Sequence, residues 1–220
     1  MFEFLEVTPV ELEEPKVDTS NWQRIFFDLE GSLDTRGDII QVAAITTDWD
    51  FNITNVFNMY FKNSKPILEE ELRVHGITEE YLKQYATGHF TEQLEVTPFY
   101  PDKPTMFISY TTFDIKRINA ELSSYGITPI NFGQEKTSLI SNMYEGVNCY
   151  LDAFQYGKKK GVVISKELGD EIFDGIYKEL SEFGDFARKS NHDALYDSVM
   201  ILALCRGVSD DRTRDTNTER

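Results

Sequence analysis

The sequence predicts an α/β domain, and three features carry that expectation. Two short apolar runs, residues 24–29 and 105–109, have the length of buried strands. A further pair of runs, 38–47 and 54–61, flanks the turn-forming Asp48-Trp49-Asp50-Phe51-Asn52, the pattern of an antiparallel hairpin. Ile115, Ile118, Leu122 and Tyr125 then recur at helical spacing, as do Leu195, Val199 and Leu202. Strands and helices that alternate along one chain pack as layers around a shared core.

The elements follow in order. The run Ile25-Phe26-Phe27 ends in Asp28 and Glu30, so the first strand leaves the core on a charged edge. Thr78 stands before Glu79 and Glu80, where a hydroxyl caps free N–H groups and acids suit the positive end of the helix dipole. The helix after residue 113 stops at Gly126, a residue that enters the left-handed conformation cheaply. Residues 135–156 and 166–183 are expected as helices. A last helix is expected from His192 to Cys205, with Met200 beside Leu195, Val199 and Leu202 on its apolar side.

Composition sets the boundaries of function. The 220 residues contain 38 Asp and Glu against 22 Lys and Arg, a net charge of −16. Hydrophobic residues make up 40 % and aromatics 13 %, enough to bury a core, so global disorder is excluded. The longest apolar stretches fall well short of the roughly 20 residues of a membrane span, and the acidic Met1-Phe2-Glu3-Phe4-Leu5-Glu6 is unlike a basic secretory leader. Two cysteines, Cys149 and Cys205, make no bridged framework. The expected location is the cytoplasm. An acidic arm over 1–20, a domain over 21–208 and a disordered tail over 209–220 are expected, with the arm a candidate contact for a protein partner. So acidic a chain cannot grip long nucleic acid with a broad basic face; it would need a local basic patch or bound metal ions.

Four acids stand where acids are costly. Asp28 and Glu30, two apart on a strand, share one face of the sheet. Asp114 opens a helix directly after an apolar strand, and Asp197 follows His192 by five residues. Taken singly, each has an ordinary reading: a solvated strand end, a first-turn acid, a surface pair. Taken together, a buried cluster of carboxylates needs cations, and hard oxygen ligands select Mg²⁺ or Mn²⁺.

The order of these motifs carries a resemblance. Phe27-Asp28-Leu29-Glu30-Gly31-Ser32-Leu33 followed by Ile39-Ile40-Gln41-Val42-Ala43 resembles the first motif of the DEDDh 3′→5′ exonucleases, the superfamily of proofreading exonucleases and RNase T. Phe113-Asp114-Ile115 is similar to the second, and His192-Asp193-Ala194-Leu195-Tyr196-Asp197 to the third. His75-Gly76-Ile77-Thr78 resembles a short element found between the first two. The likeness implies an RNase H-like fold with a mixed five-stranded sheet flanked by helices. It implies that Asp28, Glu30, Asp114 and Asp197 ligate two Mg²⁺ or Mn²⁺ ions, with His192 as general base. It also implies substrate contacts at Leu29, Gly31, Ser32 and Leu33, and release of nucleoside 5′-monophosphates from single-stranded or frayed 3′ ends of DNA or RNA.

This chain departs from the family at Gly31, where a hydroxyl residue commonly follows the glutamate, and at Ser109-Tyr110-Thr111-Thr112, where a histidine-asparagine pair is frequent. His75 reads as structural rather than catalytic, and Lys158-Lys159-Lys160 as a solvated helix end that can also touch a phosphate. A rival reading keeps the fold without turnover, as a binding or interaction protein. All five motif residues are present, which favours the enzyme.

Overall fold

The frame of the molecule is a six-stranded mixed sheet, here in a computed structural model, ordered β3-β2-β1-β4-β6-β5. Residues 20–32, 37–136, 148–160, 166–186 and 192–215 are described. Most of the acidic arm, and Leu33, lie outside them. Strands β1 (Gln23–Gly31), β2 (Ile39–Thr47) and β3 (Ile53–Tyr60) form an antiparallel meander, as the hairpin pattern predicts. Strands β4 (Thr105–Ser109), β5 (Gln134–Lys136) and β6 (Cys149–Asp152) add to the other side of β1, all parallel to their neighbours.

Alternation along β1 decides what each layer holds. Phe26 faces one layer with Ile45, Ile108 and Leu151, packed under α4 (Ala153–Lys160), α5 (Lys166–Leu180) and α6 (Ala194–Asp215). Phe27 faces the other with Val42, Phe107, Phe99 and Phe132, under α3 (Phe113–Ser124). Asp28 and Glu30 share the parity of Phe26, so the period of the strand directs both carboxylates toward α6. Two short helices, α1 (Glu69–His75) and α2 (Glu79–Tyr85), lie between β3 and β4. Gly76 (φ 67°) closes α1, and the Thr78 hydroxyl accepts the Tyr81 N–H to open α2. The His75-Gly76-Ile77-Thr78 element is therefore a helix-to-helix joint, in which the Ile77 N–H also donates to His75 Nδ1 at 3.0 Å.

The structure corrects four expectations. The sheet has six strands rather than five, because Gln134–Lys136, a polar edge segment with no apolar period, pairs with β6. Residues 135–156 are not one helix: Cys149, Tyr150 and Leu151 are buried on both faces of β6, and the helix begins only at Ala153. His192 precedes the last helix instead of lying on it, with left-handed backbone (φ 65°). That helix runs on to Asp215, past the point where a tail is expected. Among the described residues no helix is long and apolar enough to cross a membrane.

Candidate active site

Parallel β1, β4 and β6 end at one edge of the sheet, and ligands in open α/β sheets bind outside such carboxyl ends. Asp28 and Glu30 close β1, Asp114 lies in the first turn of α3 behind β4, and Asp197 in the first turn of α6. All four meet His192 in a single cleft of about 440 Å³. Leu29 lines it as well, and so do Tyr110, Phe113 and Met200. Of the remaining expected contacts, Ser32 turns away into a second cavity of about 300 Å³, where its hydroxyl donates to Glu71 Oε1 at 2.7 Å. Leu33 is outside the described residues.

Gly31 is explained by crowding. A Cβ there would lie 2.2 Å from the Asp38 carbonyl oxygen and 2.6 Å from the Arg117 guanidinium. The pairing of β1 with β2 slips at Glu30–Gly31, and Arg117 Nη2 donates to that same carbonyl at 2.9 Å. One turn on, Glu121 accepts the Ile39 N–H at 2.7 Å. Two charged side chains of α3, both buried, thus tie down the start of β2 beside Glu30.

The last motif is anchored from β2. Gln41 stands opposite Glu30 in the strand register and is fully buried. Its Nε2 approaches Asp193 Oδ2 at 3.3 Å, and its Oε1 accepts the Ala194 N–H at the same distance. The amide therefore fixes the first turn of α6, from which Asp197 projects. The His192 N–H donates to Asp197 Oδ2 at 3.0 Å. Its imidazole is exposed, and one ring nitrogen lies within 4.8 Å of carboxylate oxygens of both Glu30 and Asp197.

Crowded acids change their chemistry. Burial, then the nearby Asp197 and Asp193, pushes Glu30 up to about 8. Burial, with Asp197 adding to it, pushes Asp114 up to about 7. Asp28 stands well above the ordinary carboxylate range through burial, then Asp114, Asp197 and Glu30. Asp197 is raised by burial first, and the His192 N–H holds it back. Four carboxylates cannot all ionise here without added positive charge. The cleft lining contains no Lys or Arg among the described residues, and the nearby Arg117 lowers Glu30 and Asp114 without offsetting their burial. Glu30, His192 and Asp197 place one ligand atom each within 4.8 Å of one another, close enough for a shared divalent cation.

The sequence reading gives no site role to Tyr110, Phe113, Gln41 or Arg117, and Met200, expected on the apolar side of the last helix, is 42 % exposed and lines the cleft instead. Met200 had a usable signal, since it follows Asp197 by three residues and must share its helix face. Exposed aromatics at a strand-to-helix junction are a second such signal. Lys158 and Lys159 are exposed at the end of α4, outside the cleft lining, and the Lys160 side chain is not described. His89 caps a 3₁₀ turn, its N–H donating to Glu92 Oε2 at 3.0 Å.

The exonuclease family model that includes RNase T matches residues 25–205, spanning all of these motifs. The chain belongs to this family. No curated protein matches it by sequence. Among solved structures it is similar to zinc-bound E. coli exonuclease I in complex with single-stranded DNA, at 17 % identity and TM-score 0.61, over 90 % of this chain and 42 % of that one. It is also similar to the nuclease domain of 3′hExo, a DEDDh family member bound to rAMP, at 13 % identity and TM-score 0.52, over 86 % and 92 %. The E. coli exonuclease I complex with a dT13 oligonucleotide gives 16 % identity and TM-score 0.59, over 89 % and 43 %. At such identities the likeness is one of fold. The exonuclease spans about four-tenths of the length of E. coli exonuclease I.

Proposed function

We propose that this exonuclease is a divalent-metal-dependent 3′→5′ enzyme acting on the 3′ ends of single-stranded or frayed nucleic acid. It cuts the terminal phosphodiester and releases a nucleoside 5′-monophosphate. The observation that carries the reading is the meeting of Asp28, Glu30, Asp114, Asp197 and His192 in one cleft.

The donor set fits Mg²⁺ or Mn²⁺: four oxygen ligands, each held above its ordinary pKa chiefly by burial. Asp28, Glu30, Asp114 and Asp197 would hold two such ions, which when bound supply the charge that activates water and steadies a leaving oxygen. His192 takes the proton of the attacking water, since its ring is exposed at the cleft beside Glu30 and Asp197. Water attacks phosphorus, and the bond to the 3′ oxygen of the penultimate nucleotide breaks. That oxygen leaves as a hydroxyl on the shortened strand. Asp197 holds the His192 backbone, and Leu29 gives the reacting sugar an apolar wall. Single-stranded DNA and rAMP in the structural relatives support a nucleic acid substrate. A cytoplasmic setting suits the two buried free thiols, Cys149 and Cys205.

The test is digestion of a single-stranded oligonucleotide with Mg²⁺ or Mn²⁺, against the same reaction in chelator and against Asp28→Asn. The reading expects shortening only with metal and wild-type protein, while the variant stays folded by circular dichroism. Equal digestion in chelator would reject it.

A further inference from the structure

Among the described residues twelve large apolar side chains are exposed, and four of them gather at the catalytic edge of the sheet. Tyr110 is 50 % exposed, Phe113 43 %, Phe154 42 % and Met200 42 %. Tyr110 follows β4 directly and Phe154 follows β6 after one residue, so the two parallel strands deliver both rings to the edge that carries Asp28 and Glu30. The rings lie 5.6 Å apart, tilted by 56°, and the Phe154 N–H donates to the Tyr110 carbonyl at 3.0 Å. Tyr110, Phe113 and Met200 line the cleft itself. Rings held on backbone bonds at strand ends lose little freedom when a ligand arrives, and leaving them in water is unfavourable.

Charge then says what the rings receive. The cleft lining holds four acids and, among the described residues, no Lys or Arg. In a chain of net charge −16, a cleft so lined draws little affinity from phosphate contacts with its described residues. A nucleobase offers the other handle, an uncharged aromatic face open only when the base is unpaired.

We propose that Tyr110 and Phe154 form a stacking wall that holds unpaired nucleobases next to the 3′ end of the substrate, with Phe113 and Met200 continuing it toward the carboxylates. The proposal rests on the exonuclease reading above and adds its substrate selection: affinity from base faces, hence a requirement for an unpaired end and a weak dependence on salt.

The experiment compares two single-stranded oligonucleotides with Mn²⁺, one normal and one whose second to fourth residues from the 3′ end lack bases. Wild type is set against the double variant Tyr110→Leu/Phe154→Leu, which keeps apolar bulk without the ring face, and against Phe154→Trp. Base removal should lower kcat/KM of the wild type by roughly 5- to 150-fold, the effect of one stacked base. The double variant should lose a similar factor on the normal strand, mostly through KM, and lose little more on the base-free one. Phe154→Trp should keep most of the wild-type value. Both rings are exposed, so melting temperatures should stay close. Independent, multiplying losses in the double variant, or a double variant as efficient as wild type on the normal strand, would overturn the stacking wall while the exonuclease stands. No digestion of either strand by wild type would overturn both.

Discussion

The His192 N–H donates to Asp197 Oδ2 across 3.0 Å, so the fifth residue onward fastens the backbone from which the imidazole projects. The bond also accounts for the left-handed backbone at His192, φ 65°, a conformation that costs a non-glycine residue of order 1–3 kcal/mol and persists only when its surroundings hold it. One carboxylate therefore faces two ways, toward the cleft and toward the chain that carries the base.

Replacing His192 by Ala should lower kcat by about 10²–10⁴-fold, the usual scale for a positioned general base. Stopped assays at saturating metal are the check. An Ala variant with wild-type kcat would remove His192 from the chemistry.

The carboxylate cluster makes stability depend on pH with a definite sign. Glu30 releases its proton near 4.5 when unfolded and at about 8 when folded, and Asp114 near 3.8 and at about 7. Between those values the unfolded chain has ionised while the folded one still holds protons, so each rise in pH favours unfolding. In chelator the melting temperature should fall from pH 5 to pH 8, and Glu30→Gln should fall less. Adding Mn²⁺ at pH 8 should recover much of the loss by binding only the folded state. A wild-type curve that rises over this interval, or a Glu30→Gln curve parallel to it, would show that the cluster is not repelling itself.

Much of this site was legible in the sequence, and the limits are physical. Asp28 and Glu30 could be assigned one face because strand period is fixed by geometry, and Phe26 and Phe27 do face opposite layers. Thr78 and Gly126 marked helix ends because capping chemistry is local. Gln134–Lys136 could not be read as a strand, since only its pairing with β6 makes it one. Gln41 was visible as a polar residue in an apolar strand, but its partners Asp193 and Ala194 lie about 150 residues away in the sequence. His192 was placed on the helix because spacing alone cannot show that a side chain has folded back onto the backbone before it.

Gly31 offers a direct check on that close packing. Substituting Ser, the kind of residue common after the glutamate in this family, puts a Cβ 2.2 Å from the Asp38 carbonyl oxygen. The variant should be destabilised by more than the roughly 0.4–1 kcal/mol that compatible glycine substitutions gain, read by chemical denaturation. A Gly31→Ser protein as stable as wild type would mean that β1 and β2 separate easily at this point.

Gln41→Leu should cost about 1–3 kcal/mol, because the Ala194 N–H and Asp193 lose a buried partner. Metal affinity should weaken with it, since Asp197 hangs on the same turn. Chemical denaturation and Mn²⁺ titration by calorimetry read the two effects. A destabilised variant with unchanged metal affinity would separate the amide from the site.

The central claim is a metal-driven cut at the 3′ terminus, and the position of the label on a single strand tests it most directly. With Mg²⁺ or Mn²⁺, a 3′-labelled oligonucleotide should yield labelled mononucleotide from the first time point. The same strand labelled at its 5′ end should shorten as a ladder, with labelled mononucleotide absent until late. Early release of the 5′ label, or internal fragments from both strands, would contradict the account.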